Sequence, residues 1–195
     1  MSVDVYVSTD IETDGFIPGI NSMLSFGSAA FLADKTLIST FSANLETLPG
    51  ATPNPHTEKW WLTQPKAWAA CRENIQKPHT AMQAYADWLE QLPGRLLFLA
   101  YPVAFDFSFI CYYLHHFVGK NPFGFACIDI RSYIMGMQNL SYQQAAMSNY
   151  PRAWFDNLPH THIALEDAIE QGTVFCNVLQ QQKVLHTADP QPKLP

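Results

Sequence analysis

Apolar and polar residues alternate at the start of the chain. Val3, Val5, Val7, Thr9 and Ile11 lie on one side, and Asp4, Tyr6, Ser8, Asp10 and Glu12 on the other. A period of two predicts a half-buried strand, which puts Asp10 and Glu12 on one face, a pleat apart. Gly15, Pro18 and Gly19 then break the chain into a loop. Met23 to Ala33 and Thr36 to Leu45 predict two more strands around a turn at Asp34 and Lys35, which makes an antiparallel meander. Pro49, Gly50, Pro53 and Pro55 mark a loop. Short helices are expected over Glu58 to Leu62 and from Pro65 to about Asn74, since proline suits a first helical turn. A longer helix capped by Thr80 carries Met82, Tyr85, Ala86 and Leu89 on one side and ends at Pro93 and Gly94. Arg95 to Tyr101 is a continuous apolar run, the pattern of a buried parallel strand. Phe105 to Val118 predicts a helix, Phe125 to Ile130 a last strand, and Ile163 to about Lys183 a C-terminal helix. Residues 131 to 161 show only short helical pieces around Pro151 and Pro159. The order predicts an α/β fold: a mixed sheet, three antiparallel strands plus parallel ones, flanked by helices.

A length of 195 residues suits one domain, expected over 1–185, with a loose tail over 186–195. The composition, 48% apolar and 14% charged, is that of an ordinary folded protein. No apolar run reaches the roughly 18 residues of a membrane span, and the N-terminus carries no signal-like block, so a cytoplasmic location is expected. Cys71, Cys111, Cys127 and Cys176 are scattered without a CxxC, which argues against a zinc knuckle or a disulfide framework. The net charge of −6 argues against a long electrostatic groove for nucleic acid. A nucleic-acid ligand would instead be held at its end, by metals and stacking.

The chemistry is carried by three short segments: Asp10 and Glu12 in STDIETDG, Asp106 in PVAFDFSF, and His162 with Asp167 in HIALED. Each has an ordinary explanation when taken singly. A DxE pair can decorate a solvated strand face. An acid early in a helix is favoured by the helix dipole. His162 is one of seven histidines. Yet Asp106 sits between two phenylalanines after a buried strand, where an unpaired charge is rare. Five helical steps rotate by about 140°, so His162 and Asp167 do not share a helix face. The histidine is therefore expected on the preceding loop, free to lean over a site, with Asp167 in the second helical turn. Four carboxylates and one imidazole are the equipment for metal-assisted phosphodiester hydrolysis.

In this order, DxE, then Asp in FDF, then HxxxxD before a C-terminal helix, the sequence resembles the DEDDh 3′–5′ exonucleases. These form the DnaQ-like or RNase T-like branch of the ribonuclease H-like superfamily. The resemblance spans residues 3 to about 183. The sister DEDDy group would place a tyrosine where this chain has Ile163. The resemblance implies Asp10, Glu12, Asp106 and Asp167 as metal ligands, with two Mg2+ ions replaceable by Mn2+, and His162 as the general base. It implies release of nucleoside 5′-monophosphates from a single-stranded 3′ end; the weak basic content, 11 Lys and Arg at a net charge of −6, favours RNA or short oligonucleotides over DNA. The resemblance also admits a homodimer, as in RNase T and oligoribonuclease. Thr13 backbone would face the terminal ribose, Met23 would wedge against the last base, and Trp60 or Trp61 and Phe105 would stack on it; core positions are the ordinary alternative for these apolar residues. Two features depart from relatives: Asp14 where many have threonine, and the segment PHTEKWWLTQP, unlike the proofreading branch.

Two rival readings remain. One is a zinc hydrolase using His160, His162, His115 or His116, although no HExxH-like spacing is present. The other is a non-catalytic domain of the same fold that binds nucleic acid or protein.

Overall fold

The computed structural model describes residues 3–188, with side chains as far as Gln182. Five strands form one sheet in the order β3-β2-β1-β4-β5. β1 (Asp4–Thr13), β2 (Met23–Phe31) and β3 (Leu37–Asn44) make the antiparallel meander, and β4 (Arg95–Ala100) and β5 (Cys127–Asp129) extend it in parallel beside β1. This is the mixed α/β sheet that the alternation predicts. The last strand is shorter than Phe125 to Ile130, because Ile130 already opens a helix.

Among the described residues six helices accompany the sheet: α1 (Pro55–Trp61), α2 (Pro65–Cys71), α3 (Pro78–Gln91), α4 (Val103–Val118), α5 (Ile130–Met137) and α6 (Ala164–Ala188). Thr80 does not cap α3; the helix starts two residues earlier at Pro78, whose fixed φ suits the first turn, and Lys77 supplies no side-chain cap. α5 is the one helix that the pattern left unresolved. Asp129, at the end of β5, sets it up by accepting from the Ser132 N–H at 2.7 Å, and its other oxygen accepts from the Val103 N–H at 3.0 Å. One aspartate thus caps both α4 and α5 beside the site. α6 runs to Ala188, five residues beyond the predicted end; the rest of the expected loose tail, 189–195, lies outside the described residues. Among the described residues no helix is long and apolar enough to cross a membrane.

The main core lies between the sheet and α3 and α4, around Phe26, Tyr85, Phe98 and Phe109. On the other face α6 crosses β1 and β2 at close range, and glycine makes this possible. A Cβ on Gly27 would stand 2.3 Å from the Leu165 Cα, and one on Gly172 would stand 2.8 Å from the Ser8 Cβ. Gly27 is also the register partner of Asp10. The missing side chain on β2 therefore lets the start of α6 settle beside the acids of β1. Gly27→Val is expected to lift that helix. Its overpacking cost is about 1–3 kcal/mol, and turnover is expected to fall further because Asp167 moves with the helix. Thermal melts and a nuclease assay on the same sample check both effects.

Candidate active site

β1 delivers Asp10 and Glu12 toward its C-terminal end, next to the parallel neighbour β4. Asp106 lies in the first turn of α4, the helix that follows β4, and Asp167 in the first turn of α6 rather than the second. The sheet order thus gathers residues from three distant segments. Ligand oxygens of Asp10, Glu12 and Asp167 all lie within 4.8 Å of one another. Asp106 is close enough to raise the pKa of both Asp10 and Glu12 by charge repulsion, and the backbone at Ile11 hydrogen-bonds its carboxylate.

Burial pushes Asp10, Glu12 and Asp106 up, and neighbouring charge adds to it at Asp10 and Glu12. Glu12 is raised to about 8, first by desolvation and then by the charge of Asp167. Asp106 is also raised to about 8, by desolvation. Asp10 is raised well above the usual carboxylate range, by desolvation first and then by Asp106, Glu12, Asp167 and Glu170. Part of Asp10 faces an open cavity of about 580 Å³ lined also by Tyr101, His160, Asp167 and Glu170. Such clustered carboxylates are stable as anions only beside a cation, and all-oxygen donors suit Mg2+ or Mn2+. The residues present therefore fit divalent ions.

His162 lies on the loop before α6, with φ +57°. Asp167 holds that loop: one carboxylate oxygen accepts from the Thr161 N–H and the other from the His162 N–H, each at 2.8 Å. The imidazole of His162 meets the edge of Trp60 at 5.0 Å and of His160 at 4.6 Å between ring centroids. Its pKa is lowered, by burial and then by His160. His160, two residues earlier, leans over the acids instead. Its Nδ1 lies 3.0 Å from Glu170 and 3.3 Å from Asp167, and the bond to Glu170 raises its pKa.

The expected substrate contacts fare differently. Thr13 is buried, and its carbonyl accepts from the Trp61 indole N–H at 2.9 Å. Trp61 is itself buried at that bond, packed on Trp60 and Trp68. Met23 exposes none of its surface and donates its backbone N–H to the Tyr113 hydroxyl, so its side chain belongs to the core and is not free to wedge against a base. Phe105 packs on Phe109 and stays half-buried. Trp60 retains 36% of its surface and is the more accessible of the two adjacent tryptophans. His115 and His116 sit in the last turn of α4, at the opposite end of that helix from Asp106.

Two features of the site escaped the sequence reading. Glu170 is buried beside Asp10 and His160; it follows Asp167 by three residues, the spacing that shares a helix face, and that signal was available. Residues 146–155, which have no clear period, form one wall of the cavity through Ala146, Met147, Ser148 and Phe155. The Met147 N–H donates to the Tyr101 hydroxyl at 2.9 Å, which pins that wall to the end of β4.

The chain is similar to known nucleases. The family model described as "3'-5' exoribonuclease Rv2179c-like domain" matches residues 5–179. A curated protein of Escherichia coli, "3'-5' DNA exonuclease Cap18", is 31% identical over 183 residues, covering 88% of this chain and 90% of its own. Among solved structures, the nuclease domain of 3'hExo, a DEDDh family member bound to rAMP, superposes with a TM-score of 0.68 at 12% identity, covering 92% of this chain and 93% of that one. E. coli Exonuclease I in complex with a dA16 oligonucleotide gives a TM-score of 0.63 at 14% identity, covering 97% of this chain and 42% of that one.

Proposed function

The chain belongs to the Rv2179c-like 3′–5′ exoribonuclease family and is a 3′–5′ exonuclease of the DEDDh type; from that premise we propose the substrate, the ions and the residue roles. It removes nucleoside 5′-monophosphates from the 3′ end of single-stranded nucleic acid, with RNA or short oligonucleotides ahead of DNA. The observation that carries this reading is the convergence of Asp10, Glu12 and Asp167 oxygens within 4.8 Å, beside Asp106.

Asp10, Glu12, Asp106 and Asp167 would hold two Mg2+ ions, for which Mn2+ would substitute; bound there, the ions would neutralise the acids and supply Lewis acidity for hydrolysis of the phosphodiester. His162 takes the proton from that water; burial keeps its imidazole neutral and ready to accept. Trp60 packs edge-on against one side of the ring. Trp61 fixes the Thr13 carbonyl, so the backbone facing the terminal ribose is rigid. Phe105 and Trp60, each partly exposed, offer faces for a terminal base, a contact of about 1–3 kcal/mol. The proposed unit is one exonuclease domain over 1–185. The homodimer admitted by the family is tested by its mass in solution, since a single chain is 22.0 kDa.

The test is degradation of matched 5′-labelled RNA, single-stranded DNA and duplex DNA with Mg2+. A ladder shortening from the 3′ end, faster on RNA, is the expected result; equal or faster loss of DNA would overturn the preference. His162→Ala is expected to lower kcat by about 10²–10⁴-fold, the usual contribution of a positioned general base. Full activity in that variant would remove His162 from its role.

A further inference from the structure

We propose that His160, His162 and Asp167 form a second, zinc-selective metal site whose occupation switches the nuclease off. The inference rests on the reading of His162 as the proton acceptor.

The donors are already close. Ring nitrogens of His160 and His162 and a carboxylate oxygen of Asp167 all lie within 4.8 Å of one another. In a tetrahedral zinc site with bonds of about 2.0–2.1 Å, neighbouring donors stand roughly 3.3 Å apart. His160 Nδ1 and Asp167 Oδ2 are separated by 3.3 Å. The remaining adjustment falls on the His162 ring, a modest rotation for a partly exposed side chain on a loop. The loop backbone needs no rebuilding, because Asp167 already binds the N–H groups of Thr161 and His162. Glu170 Oε2, 3.0 Å from His160 Nδ1, offers an oxygen as the fourth donor.

Donor type separates this group from the neighbouring acids. Asp10, Glu12 and Asp167 present only oxygen, which suits Mg2+ or Mn2+. Two imidazoles and a carboxylate suit zinc, and Mg2+ competes poorly for nitrogen. His160 is the residue that makes the difference, with 53% of its side chain open to solvent, so an ion can enter without unfolding the site.

Occupation has a defined chemical consequence. A ring nitrogen that ligates zinc has no lone pair left to accept the proton of the attacking water. Asp167 is shared between the two groups, so zinc also draws one oxygen away from the ions that assist hydrolysis. Zinc is thus expected to inhibit while Mg2+ remains in excess.

Two measurements on the whole chain test the site. Zn2+ is titrated calorimetrically into wild-type protein and into His160→Ala and His160→Asn, each in excess Mg2+. In parallel, the Zn2+ concentration that halves each protein's own Mg2+-supported rate is recorded. The wild type is expected to bind zinc under these conditions, and both variants to bind it at least roughly 10-fold more weakly, with the same displacement of the inhibitory concentration. Absence of zinc binding by the wild type overturns the site. So does equal inhibition of wild type and variants, which would place the zinc among the acids instead. Failure of the wild type to degrade any nucleic acid would overturn the exonuclease reading, while calorimetry would still decide whether the three donors bind zinc.

Discussion

Asp10→Asn is expected to lower turnover at saturating Mg2+ by about 10³-fold or more while leaving the ion-free protein as stable as the wild type, or more stable. The two effects share one cause. Burial penalises the charge of Asp10, and Asp106, Glu12, Asp167 and Glu170 add repulsion to it. An amide has nearly the shape of the carboxylate but no charge. It removes repulsion from the ion-free fold and, with it, much of the attraction for cations. Metal assistance contributes several kcal/mol of transition-state stabilisation, and about 4 kcal/mol corresponds to the stated loss of rate. The expected signature is a variant with an unchanged or raised Tm, little further stabilisation by Mg2+ and almost no turnover. A large drop in Tm would instead make Asp10 a structural residue. Retained turnover would remove it from the metal-binding set.

Periodicity placed the acids on their elements, and the ordered motifs shared with the DEDDh nucleases marked them as one site. Alternation through β1 puts Asp10 and Glu12 on one face, and a charge inside FDF stands out in an apolar helix. The spacing of His162 and Asp167 forces the histidine off the helix, as observed. The rest was illegible for physical reasons. Which imidazole overhangs the carboxylates depends on side-chain packing: His162 is turned toward Trp60 while His160 is drawn to Glu170, and sequence spacing carries no such direction. The cavity wall at 146–155 is built from two 3-10 turns around Pro151, held by tertiary bonds such as Met147 to Tyr101, so it shows no period. Met23 looked like a base contact because it opens the strand after the loop of the first motif; its side chain instead joins the core between the sheet and α3 and α4, with its backbone N–H bound by Tyr113, ninety positions away.

The ion-free protein is expected to lose stability as pH rises from about 5 to 8, and Mg2+ to restore it mainly at the alkaline end. Glu12 moves from 4.5 to about 8 on folding and Asp106 from 3.8 to about 8. Between those limits the folded state holds protons that the unfolded chain has released. Stability therefore falls with rising pH, the reverse of the usual carboxylate case. His160, also raised, acts in the same direction; His162, lowered by burial, opposes it below its ordinary range. A net loss of about 2 kcal/mol would lower Tm by roughly 4–8 °C in a domain of this size. Divalent ions bind the ionised acids, so a concentration one hundred times Kd adds about 2.7 kcal/mol. That gain is expected in full near pH 8, and only in small part near pH 5, where protons compete for the same oxygens. Thermal melts at both pH values, with and without Mg2+, read the four corners of this cycle. A flat ion-free profile, or equal stabilisation by Mg2+ at both pH values, would mean that the clustered acids are not ionising together in one site. The roles given to Asp10, Glu12, Asp106 and Asp167 would then fail with it.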